Sequence, residues 1–536
     1  MGKAKVVKYR NERYQGSLDD DACDKIEQVL YTDSVNEGMH DLAHLITCAY
    51  DSEVTQLIED MECCGVSMHD FDTTTVGTLK NYQTCGVALM YFAKNCILGD
   101  SVGLGKTVET AGLYRLLCSD RKSEVQAGVK VKRKNFRALM LTEKNLASQF
   151  RTEMVKFTSE YFELIPSAEK DVMEKFINWH SIDTELDYSI VGTHGLLSNS
   201  TFLMWLEQCR TQGAGFPFDL LVVDESSCLG NTKTQMVQNF KAISKYFDRI
   251  VFLNATPFET RLDIFYTQLD LLDHSLLPTK TNFTKEYCVM DYRGMYPKPT
   301  GKYKNQAQFK QLVGYRYFAR TRRDKGAIME DCDGKIILTD LSPVQKEWMK
   351  KSQLHRVIYD CPNHLDSHIE FNSENVPKLA SLTELFKNEC SDANSILIYV
   401  YYKEAQKYLS DWLTNKGYSN RVLNGDTSYE DRLSAIAGFK RGDYKVLITN
   451  VQKGLNFGSC DYCIFYSFDP NPSKMIQFEG RTTRDFDFTG KHIYILCSKG
   501  EEYKKFNDVI RPRAKATTEL TNSDISVVMN ILTGRE

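Results

Sequence analysis

Three short runs in this chain hold residues whose types and spacing suit phosphate chemistry. The first is GDSVGLGKT, Gly99 to Thr107. Glycines at 103 and 105, with Leu104 between them, let backbone N–H groups converge on phosphate oxygens, and the helical pattern that follows would turn its positive N-terminal end to the same anion. Lys106 is spaced to reach the β and γ phosphates, and the Thr107 hydroxyl to ligate magnesium. The strict phosphate-loop pattern wants glycine where Asp100 stands, with Gly99 one place off. The bland alternative is a glycine turn before a surface helix. The apolar run before the loop and the helical pattern after it favour the phosphate site.

The second run is FDLLVVDES, Phe218 to Ser226. Four apolar residues bury a strand, and Asp224 emerges at its C-terminal end, where ligands of open α/β sheets bind. Asp224 suits magnesium, directly or through water, and Glu225 suits orienting and deprotonating an attacking water. Paired with an upstream phosphate loop, the two carboxylates point to nucleoside-triphosphate hydrolysis with magnesium. The third run, QFEGRTTRD, holds Gln477, Arg481 and Arg484 beside an apolar strand pattern. Arginines in such a place want a negative partner, and the transition-state charge of a γ-phosphate supplies one. Three residues apart on a helix, both would face one site. A solvated or structural ion pair is the alternative.

Positioning these groups takes two parallel sheets. Short unbroken apolar runs bounded by turn residues mark strands buried on both faces: ALMLTEK (138–144), YSIVGTHG (188–195), DLLVVDES (219–226) and RIVFLNATP (249–257). The rhythm lapses from about 262 to 380, where charged and aromatic helical stretches take over. It returns with SILIYVYY (395–402), YKVLITN (444–450), YCIFYSF (462–468) and HIYILCS (492–498). The expected organisation is α/β. A helical segment over 1–75 precedes a first parallel-sheet lobe over 76–275, a helical insertion over 276–380, a second lobe over 381–505 and a C-terminal tail over 506–536.

At 536 residues the chain exceeds one core. A net charge of −4 gives no global attraction to a polyanion, so any nucleic acid must be held in a local groove. The 16 cysteines show no paired zinc spacing, and CDYC (Cys460, Cys463) is a lone pair; reduced thiols are expected. No secretory apolar segment follows MGKAKVVKYR, and no apolar run approaches the roughly 20 residues of a membrane span. A soluble cytoplasmic protein is expected. The aromatic-rich, proline-poor composition would suit a virus or phage, with the host cytoplasm as its location.

In this order the runs resemble the motors of helicase superfamily two, and specifically the Swi/Snf family of DNA translocases, over roughly residues 75 to 500. LKNYQTCGVALM (79–90) is similar to the family's opening glutamine motif, which makes Gln83 an adenine contact. GDSVGLGKTVET is similar to its phosphate loop, which also carries Asp at the place of Asp100. NLASQFRTEMVKF, VVDESSCLGNTKT and LNATPFETRLDIFYTQLDLL resemble the motifs that follow, the last with Asn254, Ala255 and Thr256 coupling nucleotide to the nucleic-acid groove. FARTRRDK followed by LSPVQKEW resembles the signature between the two lobes. VLNGDTSYEDRLSAIAGF and FDPNPSKMIQFEGRTTRD resemble the closing motifs, with Arg481 and Arg484 as fingers acting from the second lobe.

The chain departs from the pattern at Ser226-Ser227, where Ala-His or Gly-His is usual, and at Gly230, which stands for a lysine. TNVQKGLNF (449–457), containing the coupling residue Gly454, is shorter than its counterpart. The resemblance implies two RecA-like lobes, ATP and magnesium as cofactors, and double-stranded DNA as partner. It implies an ATP-driven translocase that remodels protein–DNA or branched DNA structures. The alternatives are a strand-separating or branch-migrating helicase, and an accessory ATPase that serves a polymerase or another replication or transcription protein. Nucleic-acid contacts are expected from KVKRKNFR (130–137), GYRYFARTRR (314–323, with Arg320, Arg322 and Arg323) and RPRAK (511–515).

Overall fold

Apolar strands buried on both faces need a helical layer on each side, and both sheets of this protein are built that way. The computed structural model describes residues 79, 81–255, 262–292, 297–313, 316–320, 333–451, 457–458, 460–482, 491–515 and 527–533. The segment 1–75, and with it the expected helical lead-in, lies outside the described residues. The chain divides into two units after Arg320.

In the first unit, seven strands pair in the order β3-β4-β2-β5-β6-β1-β9. They are β1 (Asn95–Leu98), β2 (Ala138–Thr142), β3 (Phe162–Ile165), β4 (Ser189–Thr193), β5 (Leu220–Asp224), β6 (Arg249–Leu253) and β9 (Tyr317–Phe318). Every pairing is parallel. The C-terminal ends of β4, β2, β5, β6, β1 and β9 therefore line one edge of the sheet in that order, and all residues that follow them meet there. Met140, Val191, Leu220, Val222, Val251 and Leu253 face a core completed by the Asn81–Ala93 and Lys106–Gln126 helices, through Val87, Met90, Leu113 and Leu117.

Six strands pair in the second unit in the order β10-β15-β14-β11-β13-β12, again all parallel. They are β10 (Asp333–Thr339), β11 (Ile396–Tyr399), β12 (Asn420–Leu423), β13 (Val446–Thr449), β14 (Tyr462–Phe465) and β15 (His492–Ser498). Side-chain alternation splits each inner strand between two cores. Leu397, Tyr399, Cys463 and Phe465 pack on one face, and Ile396, Ile398, Ile464 and Tyr466 on the other.

The stretch 276–380 departs from the expected helical insertion. It contains helices at Lys280–Tyr287, Gln306–Val313, Pro343–Lys351 and His355–Asp360, but also an antiparallel hairpin, β7 (Cys288–Asp291) with β8 (Lys298–Tyr303). Its strand β9 joins the first sheet and β10 the second. Both are edge strands, one only two residues long and the other half-exposed, so neither makes an apolar run. The C-terminal segment is likewise more than a tail. Val528, Ile531 and Leu532 of the Val527–Thr533 helix are buried in a core of the second unit. No helix among the described residues is long and apolar enough to cross a membrane.

Candidate functional site

β1 ends at Leu98, and the chain turns through Gly99–Gly105 into the Lys106–Gln126 helix. Gly103 and Gly105 have φ of +89° and +92°, the left-handed region that costs a side chain and suits glycine. Gly105 is the helix N-cap and has no side chain with which to cap it, which suits the first turn to an anion that the loop receives. A side chain at 105 would also collide with Gln83, whose Nε2 donates to the Leu104 carbonyl at 3.1 Å. Gln83 thus braces the loop from the neighbouring helix. Lys106 folds across the loop, donating to the carbonyls of Asp100 at 2.6 Å and Ser101 at 3.4 Å. Burial pulls its ammonium below the ordinary lysine range, against the attraction of Asp100, Glu225, Asp224 and Glu109. Thr107 is half-buried in the first helical turn.

Two strands over, Asp224 closes β5. Its Oδ2 accepts from Thr142 at the end of β2 (2.9 Å), and its backbone carbonyl accepts from His194 Nε2 at the end of β4 (2.7 Å). Glu225 follows with φ of +49°, an uncommon conformation for a residue with a side chain. Its Oε2 is buried with no hydrogen-bond partner among the described residues. Ser226 is buried and donates to Gln268 at 2.6 Å, and Gly230 packs so closely on Ile264 that a side chain there would overlap it. Both departures from the family pattern therefore seat the acidic strand end on the Leu262–Leu272 helix. Asn254, after β6, is buried and its N–H bonds the Leu98 carbonyl at 3.0 Å; Ala255 beside it is half-buried. Thr256 lies outside the described residues.

These groups fit a nucleotide triphosphate with magnesium. The loop offers a lysine and a glycine-capped helix start to phosphate. Thr107 and Asp224 offer the hard oxygen ligands magnesium takes, with nucleotide and water to complete its shell. The unpartnered Glu225 oxygen is a buried acceptor with room in its hydrogen bonding for a water. Among the described residues no cluster of three His, Cys, Asp or Glu forms a separate metal site. Cys460 and Cys463 are buried thiols, and burial raises Cys460 to about 11.

Three expectations need correction. Asp100, which the phosphate-loop resemblance places among the nucleotide-binding residues, commits its carboxylate elsewhere. Both its oxygens engage Arg320, Oδ1 accepting from the Arg320 N–H at 2.9 Å and Nε at 3.1 Å, and Oδ2 from Nη2. Arg320 is consequently no nucleic-acid contact; it is 1% exposed, and its Nη2 also meets Glu109 Oε2 at 2.6 Å. Arg133 and Arg137 of KVKRKNFR are also buried, the first paired with Asp219 at 2.7 Å and the second donating to the Leu186 carbonyl at 2.9 Å. They lead into β2, at the opposite edge of the sheet from the phosphate loop. Arg322, Arg323, Gly454 and Arg484 lie outside the described residues.

In the second unit Gln477 is buried in the Pro472–Gly480 helix, which Asn471 caps by accepting from the Ser473 N–H at 3.0 Å. Arg481 is the helix C-cap. Its carbonyl accepts from the Phe457 N–H at 3.0 Å, and its Nε is buried without a hydrogen-bond partner among the described residues.

Thr142, His194 and Glu109 escaped the sequence reading. The first two had a usable signal, because each is the polar residue that ends or directly follows a buried parallel strand. Glu109 had none, since a glutamate one turn into a helix reads as solvated.

The SNF2-related domain model matches residues 7–393, more than half of the chain. The chain belongs to the SNF2-related family. This is a family of ATP-hydrolysing, helicase-like enzymes, and the helicase conserved C-terminal domain model matches residues 377–485 of this SNF2-related chain. It is 22% identical to the DNA repair and recombination protein RAD54B of Gallus gallus over 509 residues, covering 80% of this chain and 53% of that protein. It is 23% identical over 448 residues to the uncharacterized ATP-dependent helicase YqhH of Bacillus subtilis, covering 75% and 72%. The chain spans about half or less of the length of the vertebrate relatives it matches. A Sulfolobus solfataricus SWI2/SNF2 ATPase core in complex with dsDNA aligns at 17% identity with a TM-score of 0.38, covering 84% of this chain and 98% of that one.

Proposed function

We propose that this SNF2-related chain hydrolyses ATP with magnesium to translocate along double-stranded DNA and to remodel protein–DNA or branched DNA structures. The observation that supports it most is the convergence on one sheet edge of the glycine-capped loop carrying Lys106 with the Asp224–Glu225 strand end, where a buried Glu225 oxygen has no hydrogen-bond partner among the described residues. In this reading the loop N–H groups and Lys106 hold the β and γ phosphates, and Gln83 adds an adenine contact to its grip on the loop. Thr107 and Asp224 hold magnesium, which when bound offsets phosphate charge. Thr142 fixes the rotamer of Asp224. Glu225 orients the attacking water and takes its proton. Asn254, Ala255, Thr256 and Gly454 relay the nucleotide state to the nucleic-acid groove, and Arg481 and Arg484 act on the developing γ-phosphate charge. The RAD54B relative is a DNA repair protein by description, which favours DNA as the partner.

The test compares ATP turnover with single-stranded, double-stranded and branched DNA. Lys106→Ala should bind ATP weakly and hydrolyse none. Glu225→Gln should bind ATP and stall, with turnover lower by roughly 10²–10⁴, the scale of a lost general base. Near-normal turnover in either variant overturns the site. Stimulation by single strands alone would favour a strand-separating helicase, and dependence on an added polymerase would favour an accessory ATPase.

A further inference from the structure

The first unit buries an arginine between two carboxylates directly behind the phosphate loop. Arg320 is the last residue of that unit, and the chain leaves for the second unit at the next position. Its guanidinium fork takes both oxygens of Asp100 and one of Glu109, and all three side chains are fully buried. Its backbone joins the same loop, since the Ser101 N–H donates to the Arg320 carbonyl at 3.0 Å and the Gly99 N–H to the Phe318 carbonyl at 2.8 Å. The Asp100 carbonyl, in turn, holds Lys106 Nζ at 2.6 Å. The start of the loop, its lysine and the strand exit toward the second unit therefore share one hydrogen-bonded cluster. The Asn81–Ala93 helix closes it from the other side: Gly86 lies so near that a Cβ there would overlap Glu109 Oε2 and Arg320 Nη2.

We infer that Arg320 is a positioning residue for ATP, holding the phosphate loop through Asp100 in the shape that presents Lys106, a role that rests on the nucleotide-binding reading above. Burial opposes the Arg320 charge, but the Asp100 carboxylate beside it restores it, so the fork stays cationic. A planar fork that meets two carboxylates at once fixes the loop's first residue in direction as well as distance. A lysine in its place offers a point charge that cannot fix both.

The experiment titrates a fluorescent ATP analogue onto the full chain, and measures turnover against ATP concentration, for wild type, Lys106→Ala, Arg320→Lys and Asp100→Asn. Lys378→Gln serves as the control for lost stability. Lys378 is a buried cation of the second unit, held by Asp360 at 2.8 Å and Glu502 at 3.2 Å, remote in sequence from the loop. Arg320→Lys and Asp100→Asn should each weaken nucleotide binding and raise KM by about 10–100-fold, the usual loss for an orienting partner, while turnover at saturating ATP changes far less. Lys378→Gln should lower the melting temperature with nucleotide affinity unchanged. If Arg320→Lys does not fold, Asp100→Asn decides, since it keeps the side-chain shape while removing the charge and turning one of the two acceptors that hold the fork into a donor. Wild-type affinity in Asp100→Asn, or in a folded Arg320→Lys, overturns the inference and leaves Arg320 a purely structural residue. A wild-type chain that binds no nucleotide, matching Lys106→Ala, overturns the functional reading itself.

Discussion

Glu109 shows how a residue's surroundings can reverse the state its type suggests. It is fully buried behind the loop, shares Arg320 with Asp100, and has one oxygen, Oε1, without a hydrogen-bond partner among the described residues. Burial pushes its carboxyl well above the usual range; the Arg320 charge works the other way, and Asp100 adds to the rise. One guanidinium cannot neutralise two buried carboxylates, and a protonated Glu109 resolves this because it donates to Asp100 while still accepting from Arg320. The consequence for stability follows from linkage. A group whose pKa is raised on folding stabilises most below its unfolded value, about 4.3 for Glu, and that contribution is lost as pH rises through the raised value. Gln mimics the protonated acid at every pH, with an oxygen to accept and an amide to donate. Glu109→Gln should therefore melt no lower than wild type at pH 8, with its advantage fading toward pH 5. A clear loss of melting temperature at pH 8 would mean that Glu109 works as an anion.

At the scale of elements, what packs closest tolerates least. The Asn81–Ala93 helix meets the Lys106–Gln126 helix and the Arg320 cluster at Gly86, where there is no room for a methyl group. Gly86→Ala should cost about 1–3 kcal/mol in denaturant unfolding, as overpacking of a rigid core does, despite the better helix propensity of Ala. A cost under about 0.5 kcal/mol would show that the cluster yields easily. The same packing explains which elements the sequence made legible. All the inner strands of both sheets could be read, because burial on two faces demands an unbroken apolar run, as in LLVV before Asp224 or YILC in β15. The four strands at the sheet edges, β3, β9, β10 and β12, could not, since edge positions accept charged residues such as half-buried Glu163 and exposed Lys335 and Arg421. The glycine loop, Lys106 and the Asp224–Glu225 pair were legible for a similar reason: each follows an inner strand in a parallel sheet. Arg320 follows an edge strand of two residues, so its arginine-rich run read as a nucleic-acid contact, and only the folded chain reveals the carboxylates behind it.

Over the whole molecule, the phosphate loop belongs to the first unit, and the Pro472–Gly480 helix with its C-cap Arg481 to the second. Each unit has its own parallel sheet and its own buried cation between two carboxylates, Arg320 in one and Lys378 in the other. On our reading, Arg481 and Arg484 supply positive charge that matters only as the γ-phosphate leaves. Arg481 is suited to this: it ends a helix anchored by Asn471, its carbonyl is tied to Phe457, and its Nε has no partner among the described residues. An arginine retained only for an exposed ion pair would shift stability by under about 1 kcal/mol on removal and leave catalysis intact. A finger behaves differently. Arg481→Ala should bind ATP within a few-fold of wild type yet lose on the order of 10³ or more in DNA-stimulated turnover. Arg481→Lys should recover little of it, because an ammonium lacks the planar fork that grips two phosphate oxygens. Nucleotide affinity, melting temperature and DNA-stimulated hydrolysis measured on both variants separate the two cases, and full stimulated activity in Arg481→Ala would assign transition-state charge stabilisation to other residues.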